Sequence, residues 1–294
     1  MRLVEEGVHP PHERPGEAQL RRRLAARYTA AVQIRDHHQR AIDRLADAYR
    51  DDPRFRGLII GGSVAKGFAR DDSDVDFMII ASDEEYERRL GERDLFINRT
   101  DLSDYEGGFV DGKIIDLAHL EGVAEKGNEP SRAAFTGAFV AYSHIAGLED
   151  LLQRIPVYPE AGHDERIRAF YSMAFIQHWL IHEAERHGNR YTTLRAASQL
   201  ALFAGRLILA HNRRLFPYHK WLPRTLEAVP EKPDEFMSRF NELLDEPGGE
   251  RATALFECIR DFRDWGVSDL DAYTWFMTDV EWSWMTDTTP IEDW

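Results

Sequence analysis

The spacing of apolar positions changes character about half-way along the chain. Residues 17–50 carry apolar side chains at helical spacing among charged ones, which predicts an amphipathic helix. Short apolar runs at 57–60, 75–81 and 139–144 predict strands, and the charged segment 83–93 predicts a surface helix. The remainder of the chain has helical periodicity, with helices predicted at 148–154, 164–187, 191–214, 234–244 and 251–265.

Two segments suggest how these elements are connected. Asp111-Gly112 stands between the apolar segments 108–110 and 113–117, a pattern typical of a two-residue hairpin turn. The proline-containing segment 155–159 marks a domain boundary.

The order of the predicted elements indicates an α+β protein. We expect a small mixed β-sheet domain with an N-terminal helix, followed by an all-α helical-bundle domain. The predicted divisions are an N-terminal arm and helix at 1–56, a catalytic domain at 57–160 and a helical domain at 161–294.

Composition limits the classes of function. No apolar run reaches the ~18 residues of a membrane-spanning helix, and the first residues predict no secretory signal. A single cysteine, Cys258, excludes an internal disulfide and fits a reducing cytoplasm. The net charge of −15 is concentrated in residues 231–294, which hold 17 acidic and 5 basic residues. An acidic surface disfavours broad nucleic-acid binding, although a nucleotide can still occupy a local pocket.

A glycine-rich corner follows the first predicted strand. Gly61-Gly62-Ser63 ends that strand, and a short helix is expected to begin at Ser63. Glycine allows a ligand to approach the backbone, a helix start offers unpaired N–H groups, and Ser63 adds a hydroxyl donor. The corner therefore predicts a phosphate-binding site, although Ser63 could equally serve as a helix N-cap.

Asp74 and Asp76 lie two residues apart where the second predicted strand begins. Side chains alternate along a strand, so both carboxylates point to one face and can share an ion. Hard oxygen ligands favour Mg²⁺ or Mn²⁺ over zinc. Asp116, inside the apolar segment Ile114-Ile115-Asp116-Leu117, is the candidate third carboxylate, and a simple hairpin carboxylate is the alternative.

Other candidate sites are less specific. Gly62 and Gly67 have P-loop separation, but Phe68-Ala69 replace the required Lys and Ser/Thr. His178 and His182 are four residues apart, yet no third metal ligand is evident. Three cationic side chains could contact a triphosphate or simply be surface charges, namely Lys66, Arg70 and Lys220.

The motif as a whole resembles a known family. Gly62-Ser63, ten intervening residues, Asp74-Val75-Asp76 and the later Asp116 are similar to the DNA-polymerase-β-like nucleotidyltransferase superfamily. The form Gly-Ser-x-Ala-x-Gly is most similar to antibiotic (aminoglycoside-type) and minimal nucleotidyltransferases, although Lys66 stands where the antibiotic enzymes often have arginine or a small residue. The segment 212–221 resembles an uncharacterised helical domain that follows such catalytic domains.

The resemblance implies a magnesium-dependent enzyme that moves a nucleoside monophosphate, AMP from ATP, onto a hydroxyl group and releases pyrophosphate. Asp74, Asp76 and Asp116 would ligate two magnesium ions, with Asp116 either a ligand or the general base. Gly61, Gly62, Ser63, Lys66, Arg70 and Lys220 would contact the nucleotide. We expect a small-molecule acceptor such as a cationic antibiotic; a tRNA end, a protein side chain or a non-catalytic regulatory module are the alternatives, and monomer and homodimer stay open.

Overall fold

The computed structural model of the chain describes residues 33–286, and these form two compact units. The first unit holds residues 33–121 and 135–152, and the second holds 122–134 and 153–286. In chain order, the elements up to residue 154 are α1 Asp36–Tyr49, β1 Phe55–Ile60, α2 Gly62–Ala65, β2 Val75–Ala81, α3 Asp83–Glu92, β3 Phe96–Arg99, β4 Val110–Ile115, α4 Leu117–Lys126, α5 Glu129–Ala134, β5 Phe139–Ser143 and α6 Leu148–Arg154.

The first unit is built on a five-stranded mixed sheet in the order β3-β4-β2-β1-β5. The β1 strand pairs antiparallel with both β2 and β5, whereas β2 and β4 run parallel. Fully buried branched side chains from β1 and β2, among them Leu58, Ile60 and Ile79, form the core beneath α1. The helix contributes Ile42 and Leu45, one apolar face of the predicted amphipathic pattern. The rest of that predicted helix, 17–32, lies outside the described residues.

The predicted hairpin turn at Asp111-Gly112 is wrong. Both residues lie inside β4, which pairs parallel with β2 and antiparallel with β3, a strand that the sequence pattern did not predict. Gly112 is needed for close packing, because a Cβ there would come 2.4 Å from the carbonyl oxygen of Phe77. Glycine at this position therefore permits strand approach, and the Asp-Gly pair only resembles a turn.

The second unit is helical, as predicted. Its longest helices pack against each other around small buried residues, Ala196, Ala197 and Ala204, which let the two backbones approach closely. Phe236, Leu243 and Leu255 add to the same core. Its further elements are α7 His163–Arg186, α8 Arg190–His211, a 3₁₀ turn His219–Trp221, α9 Leu222–Ala228, α10 Phe236–Asp245, α11 Gly249–Arg260, α12 Asp269–Phe276, a π-helical turn Met277–Glu281 and a 3₁₀ turn Ser283–Thr286.

The α+β class is confirmed, with a mixed sheet in the first unit and helices in the second. The three-part division at residues 56 and 160 stays a prediction. Between residues 33 and 286, no helix has the length and apolar character required to cross a lipid bilayer.

Candidate active site

The chain turns sharply between β1 and β2 at a glycine that cannot carry a side chain. Gly62 has a φ of +61°, in the left-handed region that favours glycine. A Cβ on Gly62 would lie 1.7 Å from Oδ2 of Asp76, so the Asp76 carboxylate rests directly on the glycine backbone. The corner and the carboxylate therefore form one site.

We expect Gly62→Ala to remove activity and to destabilise the first unit by ~1–3 kcal/mol, since the added methyl group strains the backbone and displaces Asp76. Gly91→Ala is the matched control, because a Cβ at that helical position meets nothing within 4 Å. It should raise stability slightly. Thermal unfolding and pyrophosphate release measure both effects. An active, normally stable Gly62→Ala variant would contradict this geometry.

Ser63 is a buried residue whose hydroxyl oxygen has no hydrogen-bond partner. Ser63 lies in the first turn of α2, where the N–H groups of Gly62, Ser63 and Val64 lack acceptors within the helix. The N–H of Gly61 donates to the carbonyl oxygen of Asp76, so this donor is already used within the fold. The predicted helix start is confirmed, and Ser63 with Gly62 presents an orphaned set of donors suited to phosphate oxygens.

Three carboxylates converge beside this corner. Oxygen atoms of Asp74, Asp76 and Asp111 all lie within 4.8 Å of one another, and no other such group of possible metal ligands occurs among residues 33–286. The sheet explains the convergence. Asp76 on β2 faces Asp111 on the parallel neighbour β4, and Asp74 immediately precedes β2. Neighbouring strands thus bring together residues 35 positions apart.

The surroundings of Asp111 disfavour its negative charge. Burial, reinforced by the negative charges of Asp76 and Asp74, raises the pKa of the Asp111 carboxyl to about 6. Its Oδ1 atom is buried and has no hydrogen-bond partner. A divalent cation would relieve both the repulsion and the missing contact, and three carboxylate oxygens are the donor set that magnesium or manganese prefers. The residues present therefore fit such an ion.

The position of Asp116 corrects the predicted carboxylate set. Asp111 pairs with Asp76, whereas Ile115 pairs with Ile80, so Asp116 follows the opposite end of β4 from the cluster. Its Oδ1 accepts a hydrogen bond from the backbone N–H of His119 at 2.7 Å and caps α4. The third carboxylate is Asp111, which sequence reasoning missed because Asp-Gly was interpreted as a turn.

Two side chains hold the backbone that leads into Asp74. The Tyr105 hydroxyl donates to the carbonyl oxygen of Ser73 at 2.7 Å, and His38 Nε2 lies 3.1 Å from the same oxygen. Burial lowers the pKa of His38 and favours the neutral ring. Because the carbonyl oxygen of Ser73 can only accept, Nε2 is the ring nitrogen that carries the proton and donates. The Tyr105 ring also packs against the His37 ring in a tilted arrangement, with ring centres 4.5 Å apart. No local sequence signal marks these contacts as part of the site.

Removing the Tyr105 hydroxyl tests this support. We expect Tyr105→Phe to lower pyrophosphate release about tenfold, because Asp74 loses its fixed position, while stability changes by only ~1 kcal/mol. Tyr142→Phe is the control, since that buried hydroxyl has no hydrogen-bond partner. Equal activities of the two variants in a coupled pyrophosphate assay would show that the hydrogen bond from Tyr105 to Ser73 is not needed for activity.

The three predicted cationic contacts have different surroundings. Lys66 is half-buried at the end of α2, three residues after Ser63. Arg70 is exposed and pairs with Asp72, with Nε and Oδ1 2.9 Å apart. Lys220 belongs to the other unit, where its ammonium lies over the Trp221 ring at 5.3 Å. Nucleotide contact by these three residues stays a prediction.

The histidine pair of α7 has a structural partner. Nε2 of His178 and Nε2 of His182 each lie 3.0 Å from the hydroxyl oxygen of Thr253. That hydroxyl donates to one ring and accepts from the other, since it has one proton. His178 stacks on Phe256, and burial lowers its pKa to about 4. These contacts join α7 to α11 and supply no third metal ligand.

Comparison with known proteins decides the class. Residues 42–121 match the nucleotidyltransferase domain family. The chain carries a nucleotidyltransferase domain of the DNA-polymerase-β-like superfamily. The matched segment covers the second half of α1, the glycine corner and all three clustered aspartates, so the predicted superfamily and enzyme class are confirmed.

Comparison with solved structures gives a distant similarity. A nucleotidyltransferase-like protein from Exiguobacterium sibiricum has a solved structure that aligns with a TM-score of 0.44 and 12% identity. The alignment covers 76% of this chain and 73% of that protein. A search of curated proteins gives no match.

Proposed function

We propose that this nucleotidyltransferase transfers AMP from ATP to a hydroxyl group of a small molecule and releases pyrophosphate in a magnesium-dependent reaction. The observation that carries the proposal is the convergence of Asp74, Asp76 and Asp111 beside Gly62 and the unpartnered Ser63 hydroxyl. Carboxylates that bind a cation, placed next to donors for phosphate, are the requirements of phosphoryl-group chemistry on a nucleoside triphosphate.

Different groups of the chain bind the triphosphate and accept the proton of the acceptor. The Ser63 hydroxyl and the first N–H groups of α2 hold phosphate oxygens of ATP, which fixes the α-phosphorus for in-line attack. The acceptor oxygen forms a bond to that phosphorus, and the bond to the bridging oxygen of pyrophosphate breaks. The proton of the acceptor hydroxyl passes to the carboxylate cluster as the new bond to phosphorus forms.

Asp74, Asp76 and Asp111 would hold magnesium, which when bound neutralises triphosphate charge and lowers the pKa of the acceptor hydroxyl. The binding of the ion also explains why three carboxylates can stay ionised so close together. Asp111 takes the role that the sequence analysis expected of Asp116.

The acceptor class follows from charge. Residues 231–294 are strongly acidic, and most of them lie in the second unit. An acidic surface attracts cations and repels polyphosphate backbones. We therefore propose a small, hydroxylated, cationic acceptor, such as an aminoglycoside-type antibiotic, in preference to a tRNA end.

The test is incubation of the protein with each nucleoside triphosphate, magnesium and a panel of hydroxylated acceptors, followed by mass spectrometry. We expect an acceptor whose mass rises by that of a nucleoside monophosphate minus water, together with pyrophosphate. Binding of triphosphate without turnover on any acceptor, protein or tRNA would favour a regulatory module. Modification of tRNA or protein alone would place the acceptor in the macromolecular class.

A further inference from the structure

The second unit contains a cavity of about 500 Å³ that the reaction above does not use. It is formed around the loop between α4 and α5, with contributions from α5, α7 and α8. Its volume lies within the range of ~300–1,000 Å³ that is usual for small-molecule sites. The charged residues that line it are Glu125, Lys126, Glu129, Arg132, Arg166 and Arg206.

Four cationic and two acidic side chains give this lining a formal charge of +2, in a chain whose net charge is −15. A local excess of positive charge inside an acidic protein attracts anions to that position. The lining of the cavity is therefore positive, whereas the surface that we assign to the cationic acceptor is negative, and the two are separate sites.

A single carboxylate, that of Glu129, lies beside two of the arginine side chains. Glu129, which is 5% exposed, accepts a hydrogen bond from Arg206 Nη2 at 3.0 Å on Oε1 and one from the Phe216 N–H at 2.9 Å on Oε2. Arg166 Nε lies 3.7 Å from the same Oε1 atom, too far for a hydrogen bond. Glu129 carries a single negative charge, so it neutralises only one of the two positive charges of Arg166 and Arg206.

The two arginines are short of acceptors. Nε of Arg166 and Nε of Arg206 are both buried with no hydrogen-bond partner. Arg206 is held between the rings of Phe170 and Phe216, 4.2 and 4.4 Å from its guanidinium carbon. Burial lowers the pKa of Arg206, against the opposing effect of Glu129.

A structural role accounts for only part of this arrangement. Arg132 donates to backbone carbonyl oxygens of Ala124, Glu125, Gly127 and Ile155, and so it fastens the loop. Arg166 likewise donates to the carbonyl oxygens of Pro159 and Ala161. Neutral carbonyl groups satisfy N–H donors but leave the net positive charge in place, and Lys126 adds to that charge from the end of α4.

We propose that this cavity binds the phosphate group of a small molecule. A phosphate dianion matches the charge of the lining, and guanidinium and ammonium groups both donate charge-assisted hydrogen bonds to phosphate oxygens. The inference does not depend on the proposed reaction, because all the residues that carry it belong to the second unit.

The experiment measures the dissociation constant of inorganic phosphate by calorimetry and by thermal shift, in metal-free buffer at constant ionic strength. We expect saturable stabilisation of the whole chain, weakened about fivefold in Lys126→Gln and at least tenfold in Arg166→Gln. Lys126 is exposed, so Lys126→Gln keeps the test valid if Arg166→Gln fails to fold. Lys232→Gln, the same change elsewhere in the second unit, is the control and should bind phosphate normally.

Ser63→Ala separates this site from the glycine corner. Phosphate binding that survives in Ser63→Ala and is lost in the cavity variants supports the inference. Loss in Ser63→Ala with retention in both cavity variants would place phosphate in the first unit, which overturns the inference and leaves the proposed reaction intact. No saturable binding, or stronger binding of citrate than of phosphate, would also overturn it.

Discussion

Replacing Asp74 by asparagine should lower magnesium-dependent pyrophosphate release by ~10³-fold or more, since the variant keeps the shape of the side chain and removes one of three charges that hold the cation. The unfolding temperature should not fall, because the loss of one negative charge from the cluster relieves repulsion. Asp76→Asn should behave in the same way.

Asp72→Asn is the matched control for this prediction. Asp72 lies two residues before Asp74 and is 60% exposed. Its one ion pair among the described residues is with Arg70, which is also exposed. Its loss should leave activity within about twofold, because exposed ion pairs contribute little. Full activity in Asp74→Asn, or equal losses in Asp72→Asn and Asp74→Asn, would remove the metal assignment.

The second large effect is expected at Asp111, where the loss of one charge should stabilise the protein and inactivate it. In the absence of metal, burial and the neighbouring carboxylates raise the pKa of Asp111 to about 6 in the folded chain, from an ordinary value of 3.8. A raised carboxyl pKa means that the folded state binds the proton more tightly, so stability falls as pH rises from about 4 through 6. Asp111→Asn removes this loss.

We therefore expect metal-free Asp111→Asn to unfold at a higher temperature than the wild type at pH 7.5, and at a similar temperature at pH 4. Magnesium with ATP should stabilise the wild type at pH 7.5 and have no such effect on the variant. Asp116→Asn is the control and should keep the ligand-dependent shift, because Asp116 caps α4 away from the cluster. A ligand-dependent shift that is kept in Asp111→Asn and lost in Asp116→Asn would instead identify Asp116 as the third carboxylate.

Local sequence patterns predicted the parts of the site that depend on neighbours in the chain. A strand that ends in Gly61-Gly62-Ser63 can form a corner, and Asp74 and Asp76 share a face because strand side chains alternate. These relationships span a few residues, so they follow from backbone geometry. The helical second unit was likewise predicted, because its periodicity is continuous over long segments.

The third carboxylate could not be found in this way, because it depends on strand pairing between distant segments. Asp111 reaches Asp76 only through the parallel register of β2 and β4. The same pairing explains Gly112, which permits contact with Phe77 and made the sequence look like a hairpin. Tyr105 and His38 are also brought to Ser73 by the fold alone, from segments more than 30 residues away.

A crystal structure with Mn²⁺ and a non-hydrolysable ATP analogue would show the metal site itself, because anomalous scattering locates the ion independently of activity. We expect manganese bound by carboxylate oxygens of Asp74, Asp76 and Asp111, with analogue phosphate oxygens hydrogen-bonded to Ser63. Manganese bound at Asp116, or triphosphate bound away from Gly62 and Ser63, would contradict the account.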